Sequence, residues 1–124
     1  AWVTNNTFQG TADSGDFNLV FKPDGRPADG RQGTPRSPLT GGGTLGAGYG
    51  VTIDKRGAAW FGNFGWGRCA GCQPTLDGNA SVSRFNRAGK PVSPSTAYQG
   101  GPVRVMGMDS DAHGNIWISS NGTD

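Results

Sequence analysis

The chain has no glutamate, a single histidine (His113) and two cysteines (Cys69 and Cys72) among its 124 residues. Without Glu, half of the usual supply of carboxylate acids and bases is missing, and one His adds little material for proton transfer. A zinc site needs four ligands, and two cysteines with one distant histidine support it poorly. No apolar stretch approaches the roughly 20 residues of a membrane helix, so no membrane span is expected, and no cleavable signal is visible. Nor do apolar residues recur at helical spacing, which excludes a solenoid of helices. Hydrophobic residues make up only 33% of the chain, a composition that by itself reads as disorder. The net charge of +2 is too small to imply a polyanion, and the basic residues are scattered apart from a loose group at Arg26, Arg31 and Arg36. Nucleic acid is therefore not an expected partner.

What the chain does have is 23 glycines, 8 prolines and a stretch that occurs twice. Tyr49-Gly-Val-Thr-Ile-Asp-Lys-Arg-Gly-Ala-Ala-Trp-Phe-Gly-Asn-Phe64 lies without a gap over Met106-Gly-Met-Asp-Ser-Asp-Ala-His-Gly-Asn-Ile-Trp-Ile-Ser-Ser-Asn121. Gly50 matches Gly107, Asp54 matches Asp111, Gly57 matches Gly114 and Trp60 matches Trp117, each 57 positions on. The opening residues around Trp2 match those around Trp60, 58 positions earlier. Such internal recurrence argues for a repeat protein, and against disorder. Each copy reads as two short apolar strands, Tyr49–Ile53 with Ala59–Phe61 and Met106–Met108 with Ile116–Ile118, joined by a polar turn. An Asp opens the turn, where it can bond the backbone ahead, and a Gly near its end accepts a left-handed conformation. That is a hairpin signature.

A second hairpin recurs more weakly, with Asn18–Pro27 over Val82–Pro91, and the extra residues between the hairpins of the later copy fall at Cys69-Ala-Gly-Cys72. One unit is then two hairpins, an all-β blade of four antiparallel strands, which must bury its apolar faces against neighbours of its own kind. The predicted fold class is a β-propeller. Residues 1–48 give a partial blade and a long Gly/Pro-rich link, 49–105 a complete blade carrying the Cys insertion, and 106–124 the first hairpin of a further blade. Propellers close with roughly four to eight blades, so about two blades predict either a piece of a longer polypeptide, the preferred reading, or copies that assemble. The partners expected are accordingly other blades of the same polypeptide or further copies of the chain.

Several residues stand out as candidates for chemistry. Cys69 and Cys72 read best as a disulfide closing the inserted loop, ahead of free thiols and of a metal or redox pair; a disulfide places the protein outside the reducing cytosol, in an extracytoplasmic location. Trp66, in Phe64-Gly-Trp66-Gly-Arg68, is not explained by the recurrence, and an aromatic held by a clamped loop can stack on a carbohydrate or on a protein partner. The competing reading is that it covers the loop's own small core. Arg104 precedes a strand and can face a central channel or pair with an aspartate. Phe64, Trp66, Arg68 and Arg104 are thus the binding candidates. Asp109 and Asp111 space their oxygens like the first half of a calcium loop, but Arg56 and Lys55 occupy the matching turn of the other copy, so the pattern reads first as a turn and calcium only as the weaker alternative. No other cofactor is expected. His113 falls in the same turn and reads as a solvated residue. Glycines 41–43 lack the Lys-Ser/Thr ending of a phosphate loop.

At Gly50-Val-Thr-Ile-Asp54-x-x-Gly57-x-x-Trp60 and Gly107-Met-Asp-Ser-Asp111-x-x-Gly114-Asn-Ile-Trp117-Ile the chain resembles the blades of the streptogramin-lyase-like and NHL-type propellers, whose repeats read roughly G-[IV]-A-x-D-x-x-G-N-[IV]-W. The resemblance implies a propeller of about six or seven blades, usually exported in bacteria. Its superfamily includes a lyase that opens a cyclic antibiotic with a His-based acid/base and a metal ion, sugar-lactonases with a carboxylate-bound metal, and many ligand or scaffold proteins. None of those catalytic residues carries over, because there is no Glu and the one His maps to a turn. The expected function is therefore binding or structural assembly without catalysis, the alternative being a lyase or lactonase whose catalytic groups lie in blades outside this chain.

Overall fold

Four turns of one shape set the strand positions. At residues 22–26, 54–58, 86–90 and 111–115 the first residue donates its N–H to the carbonyl of the fifth and accepts from the N–H of the fourth, at 2.8–3.1 Å. The fourth residue is Gly25, Gly57, Gly89 or Gly114, with φ of 81°, 78°, 79° and 92°. That left-handed conformation costs a residue with a Cβ about 1 kcal/mol or more, and glycine nothing comparable. A type I turn closed by such a residue matches the right-handed twist of the strands it joins.

In this computed structural model, residues 1–5, 16–45, 48–64, 80–101 and 104–121 are described. Among them there are eight strands and no helix: β1 (Trp2–Val3), β2 (Phe17–Val20), β3 (Leu39–Thr40), β4 (Gly48–Ile53), β5 (Ala59–Asn63), β6 (Ser81–Phe85), β7 (Val105–Ser110) and β8 (Ile116–Ser120). They form three antiparallel sheets in the orders β1-β2-β3, β4-β5-β6 and β7-β8. The all-β class expected from the sequence is what the chain adopts, with most strands a residue or two longer than their apolar cores. Three pairings were not legible in the letters. The long link between residues 28 and 48 contains β3, which pairs Leu39 with Asn18, and an isolated bridge joins Asp29 to Arg36. The connection after Pro94 includes Tyr98, which bridges Val82 on the free side of β6.

The sheets stack face to face. Alternation along β5 sends Ala59 and Phe61 toward the first sheet, where they meet Val20, Ala28, Leu39 and Phe85 in the core, with Trp2 packed against it. Phe61 and Phe85 are wholly buried and meet edge to face at 5.7 Å, and Trp2 lies 6.3 Å from Phe61. Burying a phenylalanine contributes about 1.5–3 kcal/mol, and the edge-to-face geometry adds about 0.5–1.5 kcal/mol.

The opposite side of β5 faces the third sheet. Gly62 packs beneath Val105 and Met108, and a Cβ at Gly50 would strike Met108 Cγ at 2.7 Å, so the two glycines let β7 approach β4 and β5 closely. Ser110 Oγ donates to Ile53 O at 3.0 Å and accepts from Thr52 Oγ1 at 3.4 Å, tying β4 to β7. Farther out, Ser93 Oγ donates to Gly42 O at 2.8 Å, while Gly43 lies directly against Ala97. The connections that follow β3 and β6 thus pack on one another, and the first link is part of the core rather than a loose spacer.

Candidate functional site

Asp54 follows β4 directly, and the turn carries its carboxylate back over the hairpin. Oδ1 accepts from Arg56 N and Ala58 N, both at 2.9 Å, and Oδ2 accepts from the indole Nε1–H of Trp60 at 3.0 Å and from Arg84 Nη2 at 3.2 Å. Only 9% of Asp54 is exposed. Burial raises its pKa, but the Trp60 indole, the Ala58 and Arg56 amides and the Arg84 charge outweigh it, so the group ionises below the ordinary range for Asp. Arg84 is directly across from Trp60 in the β5–β6 register, and its guanidinium carbon is 4.8 Å from the centre of the indole ring. Held on that ring face and on Asp54, it gains cation–π and charge-assisted contacts together.

Asp111 builds the same arrangement one hairpin later. Oδ1 accepts from His113 N and Asn115 N at 2.9 Å, and Oδ2 accepts from Trp117 Nε1 at 3.0 Å. Here the amide of Asn115, at 2.7 Å, stands where Arg84 stands on Asp54. That amide is the main cause of a pKa lowered to about 2, followed by the Asn115 backbone N–H; desolvation opposes them, and the Trp117 and His113 donors add to the lowering. The surroundings differ. Trp60 meets Tyr98 at 5.7 Å and faces Ile116 and Ile118 of the third sheet across a mainly apolar cavity of about 220 Å³. Trp117 has no sheet over it among the described residues and is 64% exposed.

Between the turns at Asp54 and Asp111 lies a cleft of about 310 Å³, lined by Asp54, Lys55, Arg56, Trp60, Arg84 and His113. Lys55 Nζ crosses it to donate to His113 O at 3.3 Å. A third depression, near 510 Å³, is bounded by Lys22, Asp24, Asp29 and Arg31, whose charges largely compensate one another: Lys22 pairs with Asp29 at 2.7 Å, and Asp24 with neighbouring Arg26 at 2.7 Å.

Of the binding candidates in the sequence, Phe64 is buried and packs on Tyr49 at 5.0 Å. Arg104 has φ of 49°, its carbonyl accepts from Asn121 N at 3.1 Å, and its Nε is buried without an acceptor among the described residues. Trp66, Arg68, Cys69 and Cys72 lie outside the described residues. Asp109 Oδ1 accepts from Ser110 N at 2.7 Å, and the oxygens of Asp111 are occupied by their own turn. Among the described residues no group of three His, Cys, Asp or Glu side chains is placed to hold a metal ion. His113 is exposed in its turn. Sequence reasoning did not single out Lys55, Arg56 and Arg84 as a group. The Asp and Trp that organise them were visible, but Arg84 joins only through strand pairing across residues 64–80, which no local spacing encodes.

Comparisons with protein-family models, with curated protein sequences and with solved structures found no match. No helix among the described residues is long and apolar enough to cross a membrane.

Proposed function

We propose that the chain is a segment of a β-propeller of the streptogramin-lyase-like and NHL type, non-catalytic and extracytoplasmic, in which four-stranded blades stack to form a binding or assembly scaffold. One observation carries this reading. Trp60 and Trp117 sit in the same hydrogen-bonded lock, yet Trp60 is half-buried, with Ile116 and Ile118 of the third sheet across a cavity from it, and Trp117 is 64% exposed. A large indole fixed in place and left in water is what a sheet awaiting a neighbour presents. The opposite end offers a matching surface, since Val3, the counterpart of Phe61 in the sequence match, is exposed on β1. Trp2 on Phe61 provides the pattern for such a contact.

The four-strand count is supported by Tyr98 alongside β6, which gives the second sheet a fourth chain segment. The extracytoplasmic part rests on reading Cys69 and Cys72 as a disulfide.

The test is self-association of the chain. Native mass spectrometry and sedimentation should show head-to-tail oligomers whose population rises with concentration and collapses in Trp117→Asp. A folded chain that stays monomeric at every concentration, with or without the substitution, would sink the assembly reading.

A further inference from the structure

The cleft between the two turns carries more positive charge than its carboxylate can offset. Lys55, Arg56 and Arg84 line it together with Asp54, the only acid among its described lining residues. Asp54 has little left to offer, because its oxygens already accept four N–H groups, one of them from Arg84. Among the described residues Lys55 reaches a carbonyl alone, that of His113, at 3.3 Å. Neither Lys55 nor Arg56 has a carboxylate within ion-pair distance among the described residues, unlike Lys22, Arg26 and Arg31 on the other side of the chain. Two cations are therefore uncompensated at a concave site with an indole wall, where charge is screened less than on an open surface.

Among the described residues no acceptor meets the buried Nε–H of Arg84, although one Nη is placed on Asp54 and the guanidinium lies against Trp60. A nitrogen with no surface open to the cleft takes no ligand atom, so Arg84 serves the site through its charge, fixed in place by Asp54 and Trp60. The corresponding turn at Asp111 has no such features: the neutral amide of Asn115 replaces the guanidinium.

We propose that this cleft is a binding site for a small oxyanion, a phosphate or carboxylate group, held by the ammonium of Lys55 and the guanidinium groups of Arg56 and Arg84. Its volume of about 310 Å³ admits such a group with a small organic body attached. The cleft is lined by residues of the turns at Asp54 and Asp111, with Trp60 and Arg84 as its wall.

Amide and side-chain NMR of the full chain tests this, with inorganic phosphate and acetate titrated separately at constant ionic strength. The Trp60 Nε1–H and Arg84 Nε–H signals should shift saturably while Trp117 Nε1–H stays still. The double variant Lys55→Met/Arg56→Gln, altered only at exposed turn positions, should remain folded and bind about tenfold more weakly or less. Saturation by phosphate alone identifies a phosphoryl ligand, and by acetate alone a carboxylate. If neither anion saturates, if Trp60 and Trp117 shift alike, or if the double variant binds as tightly as the parent, the site is refuted.

Discussion

Asp54 receives the indole N–H of Trp60 at 3.0 Å, six residues along the chain, and this bond fixes the hairpin while aiming the ring at the neighbouring sheet. The same carboxylate binds two backbone N–H groups of its own turn and the guanidinium of Arg84. A single acidic side chain thus joins the turn to β5 and β6 of its own sheet.

Replacing Asp54 by Ala leaves Arg84, an indole N–H and two amides without their acceptor. Removal of one partner from such a largely buried pair should cost about 3 kcal/mol, measured as a lower urea midpoint at unchanged slope. Asp111→Ala should cost clearly less, because its ring and carboxylate already meet water. Equal losses would show that burial and Arg84 add nothing to the Asp54 lock.

Acid should weaken the fold through these two aspartates. Their folded-state pKa values lie below the ordinary 3.8, Asp111 at about 2, so the unfolded chain takes up protons first. Their contribution is therefore complete above the unfolded pKa and is lost as pH falls through the folded one. Urea midpoints should stay level for this pair above about pH 5 and drop between about pH 4 and 2. In the Asp54→Asn/Asp111→Asn double variant that drop should shrink; an unchanged acid profile would assign it to other carboxylates.

Gly62→Ala should separate β5 from β7. The added methyl would collide with the Val105 side chain and come within 3.3 Å of Met108 Sδ, a cost of about 1–3 kcal/mol typical of overpacking. Gly107→Ala is the control, since its new Cβ would meet only Ser119 Oγ, at 2.9 Å. Thermal unfolding should fall by several degrees for the first and less for the second, with faster amide exchange in β7 only for Gly62→Ala.

The hairpins at Asp54 and Asp111 were readable directly, and for a local reason: an acid at the first turn position and a glycine at the fourth act on backbone groups within four residues. What local chemistry could not encode was β3 inside a Gly/Pro-rich link, Tyr98 beside β6, or Arg84 on Asp54 from 30 residues away. Those contacts exist because β6 pairs with β5 in one register and the sheets stack in one order, and register and stacking are settled by the sum of many distant contacts. Residue type and spacing determined the recurring Asp–Gly turns and the strands beside them; only the packed tertiary structure decided which face was covered, which cations converged, and that Phe64 is buried.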